Sequence, residues 1–109
     1  MLYFVYCEDN PGNSDVRLSK REAHQRYMSM HDNHIFLGGP TMDQSGGKAD
    51  GTALVVNFPS MGSVHEFLNG DPYYNAGLFA SRIVKLMQPV RIAPEVLEQS
   101  QEQIPRDYE

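Results

Sequence analysis

The chain has 109 residues, a formal net charge of −5 and a single cysteine. That length suits one domain with a modest core. No stretch approaches the ~20 apolar residues of a membrane span, one cysteine excludes an internal disulfide framework or a multi-cysteine metal site, and the lack of a basic stripe argues against nucleic-acid binding.

Residues 2–7, LYFVYC, are an apolar run bounded by EDNPG, which predicts a strand and a turn-rich loop. No basic segment precedes this run and no small-residue cleavage site follows it, so the chain reads as untargeted and cytoplasmic. Cys7 closes the run and reads as a buried strand residue. Residues 19–34, SKREAHQRYMSMHDNH, predict a helix, with Ser19 as cap and Glu22 completing a capping box. Ala23, Tyr27, Met30 and His34 fall on one face of it. IFLGG, 35–39, is a second strand stopped by Gly38, Gly39 and Pro40, and TALVVNF, 52–58, is a third. SMGSVHEFLNG, 60–70, predicts a second helix capped by Ser60 and ended by Gly70, with Met61, Val64, Phe67 and Leu68 facing inward. RIVKLMQPV, 82–90, is a fourth strand. The segment 93–109 is an acidic tail in which Glu95, Glu98, Glu102, Asp107 and Glu109 face Arg106 alone. Most of the net charge therefore lies there, and the tail reads as solvated.

The order β-α-β-β-α-β defines an α+β, ferredoxin-like unit: a four-stranded antiparallel sheet with two helices on one face. Yet the first strand is apolar on both alternating sets, Leu2, Phe4 and Tyr6 against Tyr3, Val5 and Cys7, and the third repeats this pattern. Two helices cover only one face, and exposing several such side chains costs several kcal/mol at ~25 cal/mol per Å2. An identical subunit is the simplest cover for the other face, which predicts a homodimer packed through its sheets.

The chemistry concentrates on two residues. His24 lies one helical position, about 100°, from Ala23, which places it on the flank of the apolar face. There it can reach a cleft rim or simply be partly packed. Asp71, within GDPYYNAGLF, is held extended by Pro72. It reads as the N-cap of a one-turn helix, PYYNA, ended by Gly77. Capping does not exclude function, because a carboxylate has about four acceptor sites. Tyr73 and Tyr74 read as packing against the second helix, or as phenols that donate to a substrate oxygen at the pocket wall. His31 and His34 are expected to meet the carbonyls at the end of the first helix. With Asp32 projecting elsewhere they do not make a three-ligand metal site. His65 reads as a surface residue.

A carboxylate beside an imidazole fixes its tautomer, orients the ring and favours its cationic form, which makes a general base. No nucleophile motif, phosphate-binding loop or zinc signature accompanies the pair, so the residues favour proton transfer over acyl or phosphoryl transfer.

The stretches RLSKREAHQRYMSMHD, LGGP and GDPYYNAGLF, in this order and spacing, resemble the YciI-like (YCII-related) family over residues 1–92. The resemblance implies small ferredoxin-like subunits paired as dimeric α/β barrels, with an enzyme activity built on a histidine–aspartate pair. His24 matches the family histidine, Asp71 the aspartate of its Asp-Pro motif, and Gly39 and Pro40 its Gly-Pro turn. Gly39 and Pro40 join Tyr73 and Tyr74 as the expected substrate-binding residues. The wider superfamily includes muconolactone isomerases and small cofactor-free oxygenases, and some relatives resemble dehydrohalogenases of hydroxylated aromatics. This chain departs in its last strand, KLMQPV, which lacks the aromatic residue common there, and in its long tail.

The expected function is a cofactor-independent lyase or isomerase, with no metal. His24 takes a proton from a small oxygenated, cyclic or aromatic compound, Asp71 stabilises the imidazolium, and Tyr73 or Tyr74 hydrogen-bonds the developing oxyanion. The alternative is a non-catalytic dimeric module that binds a small ligand in the same pocket.

Overall fold

The computed structural model describes residues 1–93, so the expectations for the acidic tail beyond Ala93 lie outside the described residues. Four strands and three helices alternate as β1 (Leu2–Asp9), α1 (Ser14–Ser29), β2 (Ile35–Met42), β3 (Ala49–Asn57), α2 (Met61–Asn69), α3 (Pro72–Asn75) and β4 (Phe79–Met87), with a 3-10 turn at Asp32–His34. The sheet order is β2-β3-β1-β4 and every pairing is antiparallel. This is the expected ferredoxin-like α+β fold.

The core fills one face of the sheet. Tyr3, Val5 and Cys7 of β1, with Leu54 and Val56 of β3, pack against Met28 of α1 and Val64, Phe67 and Leu68 of α2. On the other face Phe4, Leu37 and Ile83 stay 38%, 47% and 48% exposed, and they meet β3 and β1 in register, Leu37 opposite Val55, Phe4 opposite Val55 and Ile83 opposite Tyr6. The two-sided apolar pattern of β1 thus leaves an uncovered apolar sheet face. Among the described residues no helix is long and apolar enough to cross a membrane.

Several local features differ from the sequence expectations. Helix α1 begins at Ser14, directly after the Pro11-Gly12 turn, where Gly12 takes φ 82°. Ser19 is therefore inside the helix and donates to the Val16 carbonyl instead of capping. The inward face of α1 is made by Arg17, His24 and Met28, while Met30 is 75% exposed. Apolarity misplaced that face because a buried cation and a buried imidazole, each with a partner, occupy it. Strand β2 runs through Pro40 to Met42. It is an edge strand, the place in a sheet where a proline is tolerated.

Other features match. Ser60 caps α2, with Ser63 completing a reciprocal capping box. Asp71 caps α3, accepting from the Tyr73 N–H at 2.9 Å, and Pro72 opens the helix. Gly77, at φ 76°, ends that turn in the left-handed region open to glycine. Two expectations do not hold: Met61, at the first position of α2, is 41% exposed while Val64, Phe67 and Leu68 face inward, and strand β4 starts at Phe79, three residues earlier than predicted.

Candidate active site

Helix α1 and the short helix α3 are adjacent in the fold, and their contact makes the site. The α1 face presents Arg17, His24 and Met28, which are spaced by two turns and then one. His24 is 3% exposed, as is Asp71. Its Nδ1 lies 2.8 Å from Asp71 Oδ1. That same oxygen accepts the Tyr73 backbone N–H, so a single carboxylate oxygen both caps α3 and binds the imidazole. The Pro72 ring presets the backbone and the helix cap fixes the carboxylate, so Asp71 is aimed before it meets the histidine.

The bond to Asp71 places the proton of the neutral imidazole on Nδ1 and leaves a lone pair on Nε2. No protein group among the described residues bonds Nε2, and it is not among the sealed polar atoms. The Tyr73 ring stacks on the imidazole with centroids 3.9 Å apart and planes 15° from parallel. Tyr73 has no exposure. The ring is therefore fixed by a carboxylate at one edge and an aromatic plate on one face.

Arg17 is a second buried group. Its Nε and Nη2 each donate at 2.8 Å to Asp9 in a bidentate pair, and Nη2 also donates to Thr52 Oγ1 at 3.0 Å. Its guanidinium lies 4.8 Å from the centre of the Tyr73 ring. Burial works to lower the Arg17 pKa, but the hydrogen bond and charge of Asp9, with help from Tyr73, outweigh it and hold the pKa above the ordinary value. Burial also pushes the Tyr73 phenol up, against the opposing pull of Arg17 and Arg21.

A narrow cleft with a free volume of about 20 Å3 is lined by Arg17, His24, Met28, Ile35, Gly38, Gly39, Pro40, Thr52 and Leu54. Three polar side chains, Arg17, His24 and Thr52, thus face an otherwise apolar hollow. Of the residues singled out in the sequence, His24, Gly39 and Pro40 line the cleft, and Asp71 and Tyr73 stand behind His24. Tyr74 does not reach it. That side chain is 44% exposed and lies under the Arg82 guanidinium, 4.5 Å from its ring centre.

The remaining histidines sit elsewhere. His31, past the end of α1, bonds the Tyr27 carbonyl at 2.9 Å, as expected of a helix terminus, whereas His34 bonds the Asn57 carbonyl of β3 at 3.0 Å. His65 is not simply a surface residue, since its Nδ1 faces Arg82 Nη1 at 3.1 Å. Among the described residues no three metal-ligating side chains converge.

Arg17 and Thr52 are the cleft residues that sequence reasoning missed. Arg17 stands seven residues before His24, hence on the same helical face. Thr52 shares the inward register of Leu54 and Val56. Both signals were available, but the helix was begun too late to include Arg17.

The YCII-related domain matches residues 1–88. The chain belongs to the YCII-related family. It is 29% identical over 97 residues to protein YciI of Escherichia coli O6:H1, covering 83% of this chain and 99% of that protein. An uncharacterized protein of Haemophilus influenzae is 27% identical over 97 residues, with the same coverage. Among solved structures, the family member resembles 5-chloro-2-hydroxyhydroquinone dehydrochlorinase (TftG) of Burkholderia phenoliruptrix AC1100, solved in complex with 2,5-dihydroxybenzoquinone. The two are 35% identical, with TM-score 0.77, over 81% of this chain and 94% of that one.

Proposed function

We propose that this YCII-related protein is a cofactor-independent enzyme that moves a proton on a small oxygenated ring compound, in a lyase or isomerase reaction, with His24 as general base. The observation that carries the reading is the buried His24–Asp71 bond of 2.8 Å at the wall of a cleft that His24 lines, with Nδ1 engaged and Nε2 left as the ring nitrogen to take a proton. A proton leaves the substrate for Nε2, and the imidazolium so formed is stabilised by the Asp71 carboxylate. The ring cannot swing away, because Tyr73 is stacked against it.

The likeness to a dehydrochlorinase of a chlorinated hydroxyhydroquinone supports elimination on a hydroxylated ring as the reaction to test first. In such a step the ring reacts as its keto tautomer, in which a hydroxyl proton has moved to the chlorine-bearing carbon; a second hydroxyl proton goes to Nε2, the pair it leaves forms a carbonyl and shifts the ring double bond, and chloride departs from that carbon with the C–Cl pair. Gly39 and Pro40 form the apolar wall against which a flat ring would lie, and Tyr73 serves as the plate that positions the base. A homodimer is part of this reading, supported by the exposed Phe4, Leu37 and Ile83 on the open sheet face.

The test is a thermal-shift series with hydroxylated quinones and hydroquinones, followed by chloride release from chlorinated members. Binding and release by the wild type, with release lost in His24→Gln, are expected. Full release by His24→Gln overturns the catalytic role, and binding without turnover of any member favours the ligand-binding module.

A further inference from the structure

Tyr27 stands about one turn after His24 on α1 and does not line the cleft. Its phenol donates to the Phe67 carbonyl, near the end of α2, at 2.7 Å. Its ring is seated against Gly70, the residue directly before Asp71. A Cβ on Gly70 would overlap the phenol oxygen and lie 2.8 Å from Cζ and 3.1 Å from Cε1. Gly70 has φ −86° and ψ −9°, a conformation open to residues with side chains, so glycine serves close approach there and not backbone freedom. The Tyr27 ring is held where it is by Phe67, stacked at 5.7 Å, and by His31, tilted at 4.6 Å. Burial raises the phenol pKa and the Asp71 charge adds to the rise, so the hydroxyl stays a donor. The Gly70 N–H shares the Phe67 carbonyl at 3.2 Å, the Asp71 N–H donates to the Leu68 carbonyl at 3.2 Å, and the Asp71 carbonyl accepts from the Asn75 N–H at 3.0 Å. Residues 70 and 71 are thus tied into both α2 and α3, and a displacement at Gly70 is passed on to Asp71.

We infer that Tyr27 and Gly70 are positioning residues for the base: the phenol ring, seated on a Cα that carries no side chain, sets how closely α1 approaches Asp71 and so holds His24 Nδ1 at 2.8 Å from Asp71 Oδ1. This rests on the reading of His24 as general base. Two side chains three positions apart on α1 meet two consecutive residues of the α2–α3 junction, His24 on Asp71 and Tyr27 on Gly70. The first contact carries the chemistry and the second fixes its length. A hydrogen bond tolerates little error, since an added separation of about 1 Å removes it, and a misplacement of that size costs up to about 10²-fold in rate. Neither Tyr27 nor Gly70 touches the substrate. Both act through the imidazole.

The experiment follows the proton on Nδ1 of His24 by NMR of the ligand-free full chain. In the wild type, a proton bonded to a buried carboxylate resonates far downfield. Gly70→Ala is expected to move that resonance upfield or remove it, because the added methyl forces the phenol, and α1 with it, away from Asp71. Gly70→Ala combined with Tyr27→Leu, whose shorter side chain clears the methyl, is expected to bring the resonance back toward its wild-type position. Val64→Ala, which leaves a cavity in the core, lowers Tm but is expected to keep the wild-type resonance. Tyr27→Phe, which deletes the bond to Phe67, reads the same proton should Gly70→Ala not fold, with a smaller upfield shift expected. A wild-type resonance in the folded Gly70→Ala or Tyr27→Phe protein, or a shift of equal size in Val64→Ala, overturns the positioning role and leaves His24 as base intact. A wild type with no proton on Nδ1 overturns both readings.

Discussion

Two adjacent tyrosines on α3 each lie against an arginine, and their surroundings diverge. Tyr73 has His24 stacked on it and Arg17 at 4.8 Å from its centre. Tyr74 has Arg82 at 4.5 Å, and Arg82 in turn reaches His65. The difference lies in the carboxylates. On the Tyr73 side Asp71 holds the histidine and Asp9 holds the arginine, and the ensemble lines a cleft. On the Tyr74 side no acid pairs with Arg82 among the described residues, and its Nη2 is sealed from solvent with no hydrogen-bond partner. The same residue types make a fixed, chemically directed site only where each cation has an acid at hydrogen-bonding distance.

The comparison breaks most visibly in turnover. His24→Gln should lower the rate of proton transfer by about 10²–10⁴-fold, the usual range for a positioned general base. His65→Gln should leave it within about twofold in the same steady-state assay.

The next effect is on stability. Asp9→Asn leaves a buried guanidinium without its acid, which costs about 3–5 kcal/mol, or a Tm drop of more than about 10 °C in a domain of this size. Arg82→Met should be neutral or slightly stabilising in thermal melts, since it removes a buried N–H that has no acceptor. A large loss from Arg82→Met would erase the distinction between the two sides. Asp71→Ala should fall nearer to Asp9→Asn, because it deletes a helix cap, worth about 0.5–2 kcal/mol, and also strips the buried imidazole of its partner.

Two glycines sharpen the picture at intermediate size. A Cβ on Gly70 would run into the Tyr27 phenol, whereas one on Gly39 would meet nothing. Gly70→Ala should therefore cost about 1–3 kcal/mol in denaturant melts. Gly39→Ala should leave stability unchanged, so that any change in ligand binding reports on the cleft wall.

The smallest effect concerns Cys7, which lies opposite Arg82 in the β1–β4 register. Burial raises its thiol from 9.0 to about 11, despite the opposing charge of Arg82. The folded thiol therefore keeps its proton where the unfolded one releases it. Its contribution to stability is intact below pH 9 and is lost as pH rises toward 11. Alkylation of the native protein at pH 8 should be slow and should accelerate on unfolding.

The strand and helix order was legible because hydrophobic alternation and turn residues recur along the chain. The meeting of His24 and Asp71 followed from the resemblance, and the cap geometry of Asp71 from its proline. The inward face of α1 was not legible. Apolar periodicity pointed to Ala23, Tyr27 and Met30, while the true face buries Arg17 and His24, which become tolerable inside only through Asp9 and Asp71. Pairing across elements carries no local signature. For the same reason the tyrosines looked like substrate donors, and the hydroxyl of Thr52, one polar residue in an apolar register, passed unnoticed.

The account turns on which nitrogen of His24 is available to a substrate. Nitrogen-15 NMR of the ring in the intact protein reads this without any ligand. A neutral imidazole protonated on Nδ1, with a bare Nε2 that shifts when Asp71 is changed to Asn, is the expected result. A ring that carries its proton on Nε2 would contradict the assignment of a base in this cleft.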